Sequence, residues 1–556
     1  MLCALLGVAL ICGNLLATVP QLKRNQHGAL QLIVNDKPYI MLAGELLNSS
    51  SSTAINMEPR WKRLKDLNLN TVLMSVTWEM IEPEEGEFDF AIVESLIKEA
   101  RKHDLKIVFL WFGSWKNGSS GYAPHWVIRD TARFPRMRNR EGHIRDVLSF
   151  FSEEVLKADM RAYTELMRFI KKIDAKENTV LMMQIQNEVG LLGDSRDRSI
   201  TAEKLFAENA PEKLFAHLQK NKENILPEIR EQWGKSGFKT KTPWGKAFGN
   251  DSKNLADEMF MAWHYASFID KMASAGKKIH PLPVFANAWI IWPDQKPGDY
   301  PSGGPNARML DVWQAAAPSV DILAVDNYHQ TPAAYAAKSK EYMRSGNPLF
   351  VPEAVSLWTG DELSGPAKAY WSLAEGNAIC FAPFAIDHPV YSENHPLKTA
   401  YAMLQGLIPT IAKAQGSDDM FGFMQKDKDH KEDIADFDDY RIYVRYFGPN
   451  PGYGLVIRLS EDEFLLSGNG ISAHIVSKKP GLEGIGYGLM REGRFNAKGE
   501  WITERFLGGD EGGLRMPAVY LGKDVNEHLI KTIRVKVYPV EKSAAHDKDV
   551  FDIIKN

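Results

Sequence analysis

Two glutamates in this chain end stretches that are otherwise built to be buried. Leu181-Met182-Met183-Gln184-Ile185-Gln186 follows the turn-like Asn178-Thr179 and closes in Asn187-Glu188, and Pro348-Leu349-Phe350-Val351-Pro352 closes in Glu353. Short apolar runs bounded by turn residues read as strands of a parallel sheet, buried on both faces. A carboxylate at the end of such a strand is costly unless it has a use. A pair of them on different strands has the parts needed to break a glycosidic bond. One protonates the leaving oxygen, and the other attacks the anomeric carbon or activates water. Asn187 is placed to hydrogen-bond a sugar hydroxyl and to hold the acid. Tyr328, closing the run Val320 to Asn327, is placed to orient the nucleophile, and Glu45, after Ala43-Gly44, is a third strand-end carboxylate. Sugars present an apolar C–H face, so Trp115, Trp289, Trp292 and Trp358 are candidate platforms in strand-end loops, with Asn117 as a polar partner beside the first.

Strand ends meet in one place when strands and helices alternate around a closed barrel, whose chemistry sits at the C-terminal strand ends. The chain has that alternation. A hairpin, Leu30–Val34 and Pro38–Leu42 around Asn35-Asp36-Lys37, leads in. Apolar runs then recur at 71–76, 106–111, 181–186, 283–289, 320–328, 348–353 and 377–384. Between them lie helical patterns, as at 60–69, 91–103, 159–173 and 256–275, and a loop at 113–124. Residues 194–253 form a polar insertion, helical in parts. After about residue 415 the texture changes to short β-type runs at 440–447, 454–459, 463–466, 474–476 and 533–540, separated by turn residues. The expected fold is α/β: a (β/α)8 TIM barrel over 28–415, then an antiparallel β-sandwich over 416–556.

Composition narrows the partners. The 556 residues carry a net charge of −4 with no long basic block, which argues against nucleic acid. Fourteen Trp fit sugar binding, although most rings of such a chain are core. Residues 1–20 open with an uncharged apolar stretch that resembles a signal-peptide h-region and is short for a stable membrane span. The expectation is an exported protein, periplasmic or extracellular, in which Cys380 is left as the lone cysteine, so that no internal disulfide forms. No metal and no cofactor is expected, because the first strand end carries no His-x-His for a metal-dependent barrel.

The stretch Gln184-Ile185-Gln186-Asn187-Glu188-Val189-Gly190 resembles the acid/base motif of family 35 of the glycoside hydrolases, the β-galactosidases. Trp78…Glu82-Pro83…Gly86…Phe88-Asp89-Phe90 is similar to that family's block after strand two, and Pro124-His125-Trp126 to its Pro-x-Trp after strand three. The resemblance covers roughly 30–409. It implies retaining release of terminal β-galactose, as from plant cell-wall side chains, without a metal. By it Glu188 is the acid/base, Glu353 the nucleophile and Asn187 a ligand of the sugar 2-hydroxyl. Three places depart from the pattern: Ser75 stands for a Tyr, Trp115-Lys116-Asn117 for Cys-Ala-Glu, and Gly44-Glu45-Leu46-Leu47-Asn48 lacks the usual His. The rival readings are a family 42 β-galactosidase, an endo-mannanase-like hydrolase of the same clan, and a sugar-binding protein without turnover.

Overall fold

The computed structural model describes residues 18–249, 253–355, 364–392, 394–447, 451–496, 499–508, 518–522 and 530–541. The expected leader falls almost wholly outside the described residues, and so does Trp358.

Eight strands close the barrel: β1 (Met41–Glu45), β2 (Thr71–Thr77), β3 (Lys106–Lys116), β4 (Val180–Asn187), β5 (Val284–Ala288), β6 (Ile322–Asn327), β7 (Phe350–Ala354) and β8 (Cys380–Pro383). Each pairs in parallel with the next in sequence, and β8 pairs back with β1. Apart from half-exposed Lys106, every residue of these strands is buried. That is why they read as continuous apolar runs rather than alternating ones: one face fills the barrel and the other lies under helices.

The barrel interior holds Met41, Leu73, Val108, Leu110, Phe285 and Phe350, in one cluster with Leu32 and Val34. Those last two belong to a small antiparallel sheet, Gln21–Arg24, Leu30–Val34 and Lys37–Tyr39, which plugs the barrel at the end away from the C-terminal strand ends. Asn35 and Asp36 turn its hairpin with φ of 50° and 62°, the left-handed pair a two-residue hairpin demands. The expected second hairpin strand therefore splits at Ile40, and only its second half enters the barrel.

Helix placement differs mainly at the ends. The first outer helix spans Ala54–Asp66 rather than 60–69, because the Thr53 hydroxyl accepts from the Asn56 N–H at 3.2 Å and caps it early. The polar insertion carries four short helices, 200–207, 212–220, 227–235 and 244–248, around a buried kernel of Phe215, Trp233, Trp244 and Phe248. The last barrel helix, Pro396–Ala414, leads into two antiparallel sheets. One has six strands and one four, and Val456, Leu466 and Ile533 of the first share a core with Ile442, Val444 and Ile475 of the second, which makes a sandwich. The sandwich is welded to the barrel: Tyr370 on the helix 365–374 reaches Ser467 with 3.0 Å between hydroxyls, and a side chain at Gly422 would strike Ala374 and Glu375.

Candidate active site

The C-terminal ends of the barrel strands surround a cavity of about 460 Å³, lined by Leu47, Asn48, Lys116, Asn117, Glu188, Trp289, Ile290, Trp292, Tyr328, Glu353 and Phe384. That volume lies in the range of small-ligand pockets. Glu188 and Glu353 enter it from opposite sides of the mouth, and a carboxyl oxygen of one lies within 4.8 Å of a carboxyl oxygen of the other.

Backbone geometry aims both. Gln186 and Glu188 have φ of 63° and 44°, and Val355, just past Glu353, has φ of 60°. Left-handed conformations are costly for residues with a Cβ, above all for a β-branched one, and persist where the surroundings enforce them. At β4 the enforcement is visible. The Gln186 side-chain carbonyl accepts from the Trp115 N–H at 2.9 Å, and its amide donates to buried Asp159 at 2.6 Å. Asp159 in turn accepts from the Trp111 indole and the Ser114 hydroxyl.

Above that layer, Asn287 at the end of β5 ties the site together. Its carbonyl oxygen accepts from the Glu188 backbone N–H at 3.1 Å. Its amide faces Asn187 Oδ1 at 3.1 Å, Asp326 Oδ2 at 2.8 Å and Glu353 Oε1 at 3.4 Å. The Tyr328 hydroxyl donates to Glu353 Oε2 at 2.6 Å, as its place after β6 leads one to expect.

Electrostatics then separate the two glutamates. Burial raises the pKa of both and the Lys116 charge lowers both, but Glu353 is relieved further by the Tyr328 hydrogen bond. Glu188 is raised by burial first and by the negative charge of Glu353 second, to about 7. The charge of Glu353 thus helps Glu188 hold its proton to near neutrality.

Other expected residues fall into different layers. Trp289, Trp292 and Asn117 line the cavity; Trp292 is 39% exposed and meets the His329 ring edge-on at 4.7 Å. Asn187 is fully buried and does not line the cavity. Its carbonyl takes hydrogen bonds from Gln184 and Asn287, and its amide donates at 3.0 Å to Asn117, which does face the space. Glu45 also lies beneath the floor instead of on the wall. It is 1% exposed, neither carboxyl oxygen meets a hydrogen-bond donor among the described residues, and burial followed by the charge of Glu353 raises its pKa well above the ordinary range.

Trp115 is a clear correction. The loop expected from residue 113 is strand up to Lys116, reached through a register shift past Trp111, and the ring is turned away from the cavity. It is fully buried, donates from its indole to the Leu148 carbonyl at 2.9 Å, and packs edge-on against Tyr265 and Phe268. The two tryptophans therefore separate in a simple experiment. Trp115→Ala costs about 3–5 kcal/mol of stability, read as a lower denaturant midpoint. Trp292→Ala leaves the midpoint in place and raises KM for a bound sugar about three- to tenfold, with a smaller fall in kcat.

Four cavity or network residues are not among the candidates singled out from the sequence: Lys116, Asn48, Asn287 and Asp326. The last two had a signal, since each is a polar residue at the end of an apolar strand, the same feature that marks Glu188. The block Trp78…Glu82…Gly86 proves architectural. Buried Glu82 accepts from the Trp78 indole at 2.9 Å and the Gly86 N–H at 2.8 Å and pairs with Arg161, and the Trp126 indole donates to its backbone carbonyl. As for metals, Glu188, Asp326 and Glu353 are the described residues whose carboxyl oxygens cluster closely enough, within 4.8 Å, to hold a hard cation.

A closed parallel barrel whose strand-end cavity is faced by two glutamates has the parts that glycosidic cleavage requires. The family model described as β-galactosidase, glycoside hydrolase family 42, matches residues 51–356, more than half of the chain. The chain belongs to that family. The family 35 resemblance stands only at the coarser level of a β-galactosidase-type barrel, since the matching model is that of its rival. A model for a domain of unknown function matches residues 397–517, from the last barrel helix into the sandwich. A β-galactosidase of Xanthomonas manihotis is 31% identical over 118 residues, 19% of either chain. Among solved structures, a β-galactosidase from Bacillus circulans sp. alkalophilus matches at 15% identity and TM-score 0.45, over 67% of this chain and 57% of that one. One from Rahnella sp. R3 matches at 16% identity and TM-score 0.44, over 68% of this chain and 57% of that one. The chain thus spans less than two thirds of the length of these relatives. No helix among the described residues is long and apolar enough to cross a membrane.

Proposed function

We propose that this chain is an exo-acting, retaining glycoside hydrolase that releases terminal β-D-galactose from oligo- or polysaccharide side chains, acting outside the cytoplasm. Glu188 is the acid/base and Glu353 the nucleophile. The observation that carries the reading is the spacing of the pair across one cavity. One carboxyl oxygen of each glutamate lies within 4.8 Å of one of the other's, a close approach that favours direct attack by the carboxylate over attack by an interposed water. Retaining enzymes hold the pair about 5–5.5 Å apart and inverting ones about 6.5–9.5 Å. Tyr328 supports the assignment of Glu353, because a hydroxyl that donates to the nucleophile keeps it ionised and aimed.

The galactose preference rests on the family's description, and the cavity wall bears on it. Four of its lining residues, Leu47, Asn48, Lys116 and Asn117, lie where the chain departs from the family 35 pattern. Those departures fall on the surface that meets the glycone and leave the glutamate pair untouched. A panel of aryl β-galactosides, β-fucosides, α-arabinosides and β-mannosides, run beside galactose-bearing polysaccharides, tests the reading. The expected result is fastest turnover of the galactoside and free galactose as the first product from polymer. Internal cleavage of a mannan, or no turnover of any glycoside, would sink it.

A further inference from the structure

Asp326 is the acid at this site that neither glutamate role uses. It sits on β6 with no exposed surface, in register with Glu353 on β7, and its side chain is in hydrogen-bonding contact with that of Glu188. One carboxyl oxygen of each of these three residues lies within 4.8 Å of the others. Asp326 Oδ2 accepts from the Asn287 amide at 2.8 Å, whereas Oδ1 receives no N–H or hydroxyl donor among the described residues. Two carboxyl groups in contact must share a proton, because two anions there would repel in a medium that screens poorly.

We infer that Asp326 is a positioning residue for the acid/base: anchored by Asn287 and wedged against Glu188, it keeps its proton and donates it in a hydrogen bond to the Glu188 carboxyl. The inference rests on the reading of Glu188 as acid/base. The surroundings decide which partner holds the proton. Facing Asp326 are Glu45 from β1, Glu188 from β4, Glu353 from β7, Tyr328 just past the end of β6 and Tyr342 from the helix 332–342; Lys116, the cation of the cavity, stands on β3. Burial and then the charges of Glu353, Glu188 and Glu45 all push Asp326 up, so it holds its proton well above the ordinary carboxyl range. A neutral donor at Glu188 does two things. It fixes the rotamer of the carboxyl between its two duties, and it stabilises the anion that remains once the leaving group has taken the proton. Without it, burial and the charge of Glu353 alone would push Glu188 higher, to where it gives up its proton less readily.

The test uses the full-length protein and three variants. In the infrared difference spectrum between wild type and D326N near pH 7, the wild type should show the C=O stretch of a protonated carboxyl that the variant lacks. D326V, similar in size but with nothing to donate, should lose at least about tenfold in kcat/KM on an aryl galactoside. Its alkaline limb should move up by about one pH unit, the scale of a hydrogen bond to a charged group. D326N, whose amide still donates, should recover most of that loss and return the limb. An absent protonated-carboxyl band, or a D326N limb displaced to lower pH, would mean an anionic Asp326 and overturn the inference. Inactivation by EDTA with recovery on adding calcium or manganese would overturn it too, by making Asp326 a cation ligand. E188Q separates the two readings. If it retains full activity on poorly activated galactosides, Glu188 is not the acid, while the infrared band still reports on Asp326. If D326V does not fold, D326N and the infrared band decide.

Discussion

Replacing Glu353 with alanine should all but abolish turnover, and azide should restore a different product. A nucleophile contributes by making a bond that nothing else in the cavity can make, and loss of one costs on the order of 10⁶-fold in kcat. The space left by the shortened side chain lies on the α face of a β-glycoside, beside Tyr328 and Asn287, which still face it. Azide entering there attacks with a single inversion and gives the α-glycosyl azide from an activated aryl β-galactoside. Glu188, no longer raised by a charged Glu353, should in this variant titrate lower than in the wild type. Recovery of a β-azide, or residual turnover within a hundredfold of wild type, would mean that Glu353 does not form the covalent bond.

What the sequence shows of this site follows from where polarity breaks an apolar pattern. Strands buried on both faces leave few places for polar groups, so Glu188, Asn187, Tyr328 and Glu353 stand out at their ends, and all four belong to one connected network. The same rule over-reads Glu45. Position at a strand end says that a side chain lies near the mouth, but not whether it reaches the space or stays below it, and Glu45 stays below. Trp115 fails for a different reason. Gly113 and Ser114 read as loop, yet β3 continues through them because Gln186 and Asp159 supply hydrogen bonds to their backbone N–H groups. Those acceptors lie far away in sequence, so no local pattern announces them. In the sandwich, the strand Leu482–Phe495 was hidden by Gly484, Gly486 and Gly488, which look like turn signals. Opposite Gly486 lies the Tyr538 ring, so close that a Cβ would strike it; the glycine makes room for an aromatic neighbour across the ladder instead of ending the strand.

Glu188→Ala should divide substrates by their leaving groups. An acid is needed where the departing oxygen is a poor leaving group, and general acid catalysis is worth about 10²–10⁴-fold. Alkyl galactosides and polysaccharide should therefore lose that much in kcat/KM, while dinitrophenyl galactoside keeps a near-normal first step and stalls as the glycosyl-enzyme. Azide should release it as the β-glycosyl azide, the opposite anomer to that expected with Glu353→Ala. The pH profile of the wild type carries the same assignment. If Glu188 acts first as an acid, the competent form is the protonated one, and kcat/KM should hold below pH 7 and fall as the pH rises through about 7, where burial and the charge of Glu353 place its pKa. In Glu188→Ala that alkaline fall should vanish for the dinitrophenyl substrate. Once Glu353 is esterified its charge is gone, and Glu188, with that charge removed, is the base that draws a proton from the incoming water. Proton NMR of early hydrolysis by the wild type should then show the β-anomer of the released sugar before mutarotation. An initial α-anomer would mean attack by a water held between the two carboxyl groups, as in an inverting pair, and would sink the retaining mechanism.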